Sequence, residues 1–145
     1  MPLHLAARNG DVELMKLLLS KGADINAKDR YYFTALCASI FSCERDAAGF
    51  LIRKVVQISD YGDGERSYLP SVIYFLRGID RFDLVKLLIE RGDPVNGNGV
   101  MKETPLHYCA VMVRTGYDYD RKVIKPLLQN GAEINVRSSS FETPL

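Results

Sequence analysis

Few side chains in this sequence could carry out covalent chemistry, and they are widely spaced. The 145 residues include two histidines, His4 and His107, and three cysteines, Cys37, Cys43 and Cys109. A cysteine nucleophile needs a base beside it that activates the thiol. Because no base is placed to do this, a cysteine-centred hydrolase is only a weak alternative, and we expect no enzymatic activity.

Metal and phosphate sites are also unsupported by residue spacing. A structural zinc ion needs four ligands, and among the cysteines only Cys109 lies near a histidine. Residues 62–65 read Gly-Asp-Gly-Glu. This stretch lacks the alternating oxygen ligands of a calcium loop and the Gly-Lys-Ser/Thr of a phosphate loop. We therefore expect no cofactor and interpret this stretch as a plain insertion.

The composition and charge exclude several classes of partner. Lysine and arginine number 19 against 18 aspartates and glutamates, giving a net charge of +1. This balance gives no electrostatic reason to bind nucleic acid or an acidic membrane surface. The longest uncharged run, residues 31–43, is shorter than the roughly 20 apolar residues of a membrane-spanning helix.

The cysteine count points to a reducing compartment. Three cysteines cannot all pair with one another, and the sequence shows no secretory leader. A disulfide framework therefore cannot account for all of them. We expect an intracellular, cytoplasmic location, or delivery into a host cell if the protein is an effector.

Two blocks of sequence recur along the chain. Pro-Leu-His-Leu-Ala-Ala at residues 2–7 returns as Pro-Leu-His-Tyr-Cys-Ala at residues 105–110, and Thr-Pro-Leu occupies residues 143–145. Gly-Ala-Asp-Ile-Asn at residues 22–26 has counterparts at residues 92–96 and 131–135. The spacing fits a unit of about 33 residues if a degenerate copy follows the first.

Each unit is predicted to contain two short helices. Pro2 suits the first turn of a helix, where a missing amide hydrogen has no partner to lose. Asp11 can cap a second helix, in which Leu14 and Leu18 share one face until Gly22 ends the run. A single helix pair is too thin to bury its apolar face, so consecutive units must stack.

These blocks resemble the ankyrin repeat family. The family signature Thr-Pro-Leu-His-x-Ala is matched at residues 104–109, except that Cys109 replaces the alanine, and at residues 1–6, except that Met1 replaces the threonine. The resemblance implies an all-α, ankyrin-like repeat solenoid of about four helix-turn-helix units with connecting hairpin loops. One ankyrin repeat domain would cover residues 1–145. Its units would run approximately over 1–33, 34–70, 71–103 and 104–142, with the start of a further unit at 143–145.

Several positions depart from the family pattern. Tyr32 stands where ankyrin hairpins usually carry glycine, so the turn lacks the residue that takes a positive φ without steric cost. Extra residues are expected at 61–66, and also between Val111 and Tyr119, where they would lengthen the join between two helices. The acidic and aromatic residues 117–120 fit either a solvated loop or a recognition element.

The resemblance also assigns structural roles to the candidate chemical residues. His4 and His107 occupy the histidine position of the signature, whose imidazole holds the hairpin to the helix by local hydrogen bonds. Cys37 takes the same place in the second unit. Cys43 and Cys109 are interpreted as small buried hydrophobic residues.

The function implied by the resemblance is protein binding. A protein partner would contact the concave face formed by hairpin tips and inner helices, and we expect a monomer with no nucleic acid or membrane partner. The predicted contact positions are Arg8, Asn9, Arg30, Tyr31, Phe33, Phe41, Val100, Met101, Glu103, Val111 and Met112. The alternative is the repeat region of a larger bacterial or viral host-directed effector or inhibitor, whose active region lies outside this chain.

Overall fold

The chain folds as a series of helix pairs. A computed structural model describes residues 1–55, 58, 67–76, 80–99, 103–114, 122–140 and 142–144. These ranges contain eight helices and no strand, which confirms the predicted all-α solenoid. The helices are α1 (Pro2–Arg8), α2 (Val12–Ser20), α3 (Ala35–Phe41), α4 (Arg45–Lys54), α5 (Leu69–Phe75), α6 (Asp80–Glu90), α7 (Pro105–Arg114) and α8 (Ile124–Gln129).

The helices stack in two rows. The inner helices α1, α3, α5 and α7 contact one another in sequence, and each also contacts the outer helix that follows it. The outer helices α2, α4 and α6 form the second row. A continuous apolar core runs between the rows, and its largest fully buried side chains include Met15, Ile40, Leu51, Ile73, Leu88 and Leu127. Burial of these side chains in successive units stabilises the stack.

Local interactions mark the helix ends, at Asp11 and Gly22 as the sequence predicts and also at Thr34. The Asp11 carboxylate accepts a hydrogen bond of 2.9 Å from the backbone N–H of Leu14 at the start of α2. The Thr34 hydroxyl accepts one of 3.4 Å from the N–H of Cys37 at the start of α3. Gly22 follows the end of α2 with φ of 87°, a conformation that glycine takes without a Cβ clash.

Helix α5 starts through a long-range contact instead. It begins at Leu69, two residues before residue 71, where the third unit is predicted to start. The buried Asp93 carboxylate lies in the loop after α6. It accepts hydrogen bonds from the Tyr68 N–H (3.1 Å), the Leu69 N–H (2.9 Å) and the Ser67 hydroxyl (2.6 Å). Asp93 therefore caps a helix from which it is distant in sequence.

Helix α4 also ends through a contact with the next unit. Val55 stands where the other units have glycine, and it takes an extended conformation. The Arg91 guanidinium donates hydrogen bonds to the backbone oxygens of Val55 (3.1 Å) and Arg53 (2.9 Å). These bonds satisfy carbonyl groups that the end of a helix leaves without a helical partner.

The two predicted insertions have different outcomes. Residues 61–66 lie outside the described residues. Helix α7 continues to Arg114, past the place where α1, α3 and α5 each end after seven residues. Part of the second insertion therefore extends an inner helix, and residues 115–120, including the acidic and aromatic stretch, lie outside the described residues.

Candidate binding surface

The first hairpin loop, Asp29 to Phe33, is held by a compact set of hydrogen bonds. One Asp29 carboxylate oxygen accepts from the backbone N–H of Tyr31 at 2.8 Å and of Phe33 at 3.0 Å. The Asp29 N–H donates to the Phe33 oxygen at 2.9 Å. The hydrogen bond from Phe33 is the main cause that lowers the pKa of Asp29 below its ordinary value. The ionised carboxylate therefore organises the loop at neutral pH.

Both histidines have the predicted structural role. His4 Nε2 lies 2.8 Å from the Phe33 oxygen, and His107 Nε2 lies 3.0 Å from the Glu142 oxygen. Since each backbone oxygen can only accept, each Nε2 donates. His107 Nδ1 accepts from the Thr104 N–H at 3.1 Å. Each Nε2 thus ties an inner helix to a hairpin, which is the structural role predicted for the two histidines.

The tip of this loop exposes two tyrosines. Tyr31 is 59% exposed and Tyr32 is 79% exposed. The Arg30 guanidinium carbon lies 4.8 Å from the centre of the Tyr31 ring, in cation–π geometry. Tyr32 takes φ of 62°, so the turn keeps the positive φ of the family although its glycine is absent. For a residue with a Cβ, such as Tyr32, this left-handed conformation is less stable by about 1–2 kcal/mol because of steric contact.

Behind the tip, five aromatic side chains form a continuous row across the inner helices. Phe33 contacts Phe41 at 5.3 Å between ring centres, and Phe41 contacts Phe75 at 5.1 Å. Tyr74 lies 5.0 Å from Phe75 and 5.8 Å from Tyr108. All four contacts are edge-to-face, the geometry that aromatic rings favour. We call these five residues the aromatic row.

The aromatic row is partly open to solvent. Tyr74 is 45% exposed and the other four members are half-buried. Burial is the main cause that raises the pKa of Tyr108, and the negative charge of Glu103 adds to it. The Tyr108 hydroxyl is therefore protonated at neutral pH and can donate a hydrogen bond to a partner.

Of the residues predicted for binding, the structure exposes some and buries others. Arg8, Asn9, Arg30 and Tyr31 are exposed, Val111 is 43% exposed, and Phe33, Phe41 and Glu103 are half-buried. Met112 is buried. Val100 and Met101 lie outside the described residues.

Sequence reasoning missed four aromatic residues of this surface. Tyr32 is the most exposed large apolar side chain among the described residues. The signal that could have found it was an aromatic residue at a glycine position. Tyr74, Phe75 and Tyr108 complete the aromatic row. Their proximity follows from the stacking of α5 and α7 and has no signature in the local sequence.

The cysteines lack the surroundings of a nucleophile. Burial raises the pKa of Cys109 to about 12, so its thiol is protonated at neutral pH. Cys37 is buried, and its sulfur lies 3.6 Å from the Thr34 hydroxyl. Cys43 is exposed, so the prediction of a buried side chain is wrong for this residue. It lies in the turn between α3 and α4 with φ of 61°, and its thiol donates a hydrogen bond of 3.3 Å to the backbone oxygen of Phe75.

Neither a metal centre nor a membrane span is found in the described part of the chain. No three His, Cys, Asp or Glu residues there are grouped so that they could hold a metal ion. The described helices are all too short or too polar to cross a bilayer. One cleft of about 490 Å³ lies between α6 and α8, among Phe82, Lys86, Ile89, Lys125, Pro126 and Gln129. This cleft is lined by outer-helix residues and does not include the aromatic row.

Comparison with known proteins identifies the family. The profile of the family described as Ankyrin repeat matches residues 1–30 and 101–139. Ankyrin repeat protein FPV115 of fowlpox virus is 33% identical over an alignment 169 residues long, which includes 97% of this chain and 29% of the viral protein. The chain belongs to the ankyrin repeat family. Repeats of this family are generally protein-interaction modules and are typically non-enzymatic.

Two further relatives of this ankyrin repeat chain match shorter segments. An ankyrin repeat protein of Rickettsia bellii is 51% identical over 41 residues, covering 28% of this chain and 17% of the relative. The NF-kappa-B inhibitor cactus of Drosophila melanogaster is 42% identical over 50 residues, covering 34% of this chain and 10% of the relative. The chain thus spans less than a third of the length of each of these three relatives.

The ankyrin hairpin is closed in the same way at three places. The hydrogen bond from the Asp29 N–H to the Phe33 oxygen has counterparts from Gly99 to Glu103 and from Ser138 to Glu142, all at 2.9 Å. This bond recurs even though the loop sequences differ. The hairpin shape therefore depends on backbone pairing, which leaves the tip side chains available for variation.

Proposed function

We propose that this chain binds another protein through the first hairpin tip together with the aromatic row. The observation that carries the proposal is the continuity of the row, which links the hairpin to α3, α5 and α7 through four ring contacts. A continuous row of partly exposed rings across three inner helices suits an extended contact with a protein. Arg8, Asn9, Arg30, Glu103 and Val111 would form the rim of this surface.

The types of residue support the same proposal. Tyrosine and arginine are enriched among the residues that dominate protein interfaces. Tyr31, Tyr32 and Arg30 stand at the tip, where the hydrogen bonds of Asp29 hold the loop in one conformation. A preorganised loop loses little conformational entropy on binding, so more of the contact energy contributes to affinity.

We also propose that the chain has no catalytic site of its own and acts inside a cell. In this view it is the interaction region of a larger protein. The chain spans less than a third of the length of each of these three relatives, which favours a position within a larger protein. A viral or bacterial effector, or an inhibitor, would use the repeats to select a target and carry its activity elsewhere.

An affinity-capture experiment tests the proposed surface. The chain and its Tyr32→Ala/Tyr74→Ala variant are immobilised, incubated with lysate of the source or host cell, and compared by quantitative mass spectrometry. Proteins captured by the parent chain should be depleted at least about tenfold by the variant, since each of two hot-spot side chains contributes more than about 1 kcal/mol.

The matched control is Lys16→Ala, at an exposed position on outer helix α2. It should capture the same proteins as the parent chain. Equal capture by the aromatic variant and the control, with unchanged helix content by circular dichroism, would show that the aromatic row is not the binding surface.

A further inference from the structure

The cleft between the outer helices α6 and α8 is large enough to hold part of a ligand. Its volume of about 490 Å³ falls within the range of roughly 300–1,000 Å³ that is common for binding clefts. One wall belongs to α6 and the other to α8 and the residues beside it. Both walls are therefore formed by units of this chain, and the cleft lies within the stack. We call it the outer cleft.

The unequal lengths of the two helices leave one end of the outer cleft open. Helix α6 has 11 residues and α8 has six. Each ends two residues before a glycine, Gly92 or Gly131, so the two helices correspond at their C-terminal ends. The first turn of α6, which contains Phe82, therefore extends past the start of α8.

Positive charge is concentrated around the outer cleft. Lys86, Lys122 and Lys125 line it, and Glu90 is the one acidic residue among its lining residues. The lining thus has an excess of two positive charges, although the net charge of the whole chain is +1. The 3.8 Å ion pair between Lys86 and Glu90 is exposed to solvent and contributes little stability. Lys86 can therefore exchange Glu90 for a carboxylate of a partner at small cost.

The outer cleft also has an apolar lining. Phe82, Ile89 and Pro126 line it and are half-buried. Ile89 packs against the core, but Phe82 is not among the apolar residues that do so. Packing within the chain thus leaves part of the Phe82 ring available, and an apolar group placed against it would be removed from water.

A second cleft, of about 520 Å³ beside α4, has different chemistry. Its charged lining residues nearly balance, with three acids against two arginines: Glu44, Asp46, Asp83, Arg45 and Arg53. Its lining residues include no aromatic side chain. An excess of positive charge beside an aromatic ring therefore distinguishes the outer cleft from this one.

We propose that the outer cleft binds an acidic peptide segment of a partner protein. An apolar side chain of the segment packs against Phe82 and Pro126, and flanking carboxylates pair with Lys86 and Lys125. Charge complementarity selects an acidic ligand. The apolar lining selects a peptide over a simple anion, because an inorganic anion gains nothing from contact with Phe82. This binding does not depend on the aromatic row.

Selection from a displayed library of short random peptides tests the proposal. The library is selected on the parent chain, and each recovered peptide is then tested on the Lys86→Glu/Lys125→Glu variant. Peptides that need the two lysines should contain aspartate or glutamate on both sides of an apolar residue. Recovery of no lysine-dependent peptide, or of lysine-dependent peptides without acidic residues, would overturn the proposal.

Fluorescence anisotropy with one such labelled peptide measures the two contributions. The double lysine variant should bind at least about tenfold more weakly, because each exchange turns an attraction into a repulsion. Phe82→Ala should weaken binding by about fivefold, because the apolar contact is lost. Unchanged affinity in Phe82→Ala, or displacement of the peptide by inorganic phosphate at the same ionic strength, would show a simple anion site instead.

Lys16→Glu/Lys21→Glu is the matched control, because it changes the net charge equally at exposed positions of the first unit. It should bind the peptide as the parent chain does, and an equal loss in this control would show attraction to overall charge only. Tyr32→Ala/Tyr74→Ala should also bind normally, whereas loss in that variant would place the peptide on the aromatic row. If circular dichroism shows that a cleft variant has lost helix, Lys86→Gln/Lys125→Gln and Phe82→Leu replace it, with smaller losses of affinity expected.

Discussion

Removal of the Asp93 side chain should destabilise the middle of the solenoid strongly. The carboxylate is buried, with 3% of the residue exposed, and it accepts three hydrogen bonds at the start of α5. In Asp93→Ala all three are lost, although the Leu69 N–H keeps a bond of 3.0 Å to the Ser67 hydroxyl. The first and fourth units have Ala23 and Ala132 at this position, so the backbone there accepts alanine.

The size of the loss follows from these bonds. Because burial raises the pKa of Asp93 to about 7, the group is partly protonated at neutral pH, so each of the three hydrogen bonds is taken at the net contribution of about 1 kcal/mol of a bond between neutral groups. We expect the free energy of unfolding to fall by about 3 kcal/mol, a large share of the roughly 5–15 kcal/mol of a typical domain. Asp93→Asn, which keeps the volume and one acceptor oxygen, should lose less.

Urea denaturation followed by circular dichroism measures this difference. The slope of free energy against urea should stay the same if the variant changes stability alone. Glu90→Ala is the matched control, because Glu90 is exposed and the substitution removes its 3.8 Å ion pair with the exposed Lys86. The control should change the free energy by less than about 0.5 kcal/mol. An Asp93→Ala variant as stable as this control would refute the capping role of Asp93.

Three further predictions concern stability. Burial raises the pKa of Asp93 from 3.8 to about 7. Because the folded chain then binds this proton more tightly than the unfolded chain, Asp93 stabilises the fold most below pH 3.8, and its contribution should fall as pH rises through about 7. Urea melts across this range should show a smaller decline in the free energy of unfolding for Asp93→Asn than for the parent chain. Tyr32→Gly should raise the free energy of unfolding by up to about 1 kcal/mol, because glycine takes the positive φ at this position without steric strain. The same variant should capture less partner protein, because the exposed ring is lost. A variant less stable than the parent chain would show that the backbone at Tyr32 is not strained. Arg91→Ala should lower the free energy of unfolding by about 1 kcal/mol, because two hydrogen bonds at the end of α4 are lost. Arg91→Lys should recover only part of this stability in the same urea melts, because lysine lacks the forked guanidinium. Full recovery would show that the two hydrogen bonds do not need the guanidinium group.

The sequence by itself determined the helix pairs and the family. The cap at Asp11, the proline at the start of α1 and the glycine after α2 act within one helical turn, so each can be read from neighbouring residues. The repeated blocks then indicated how many such pairs follow one another. These features are local, and a local rule holds wherever the same residues recur.

The tertiary structure alone decided which side chains meet across units. Asp93 reaches α5, Arg91 reaches the end of α4, and five rings from the first hairpin and three inner helices form one row. It also decided burial, since Leu14 in the first unit is exposed while Ala47, 33 residues further along in the second unit, is fully buried. These contacts depend on how closely successive helix pairs stack, and residues far apart in sequence must be placed in space before their contacts can be known.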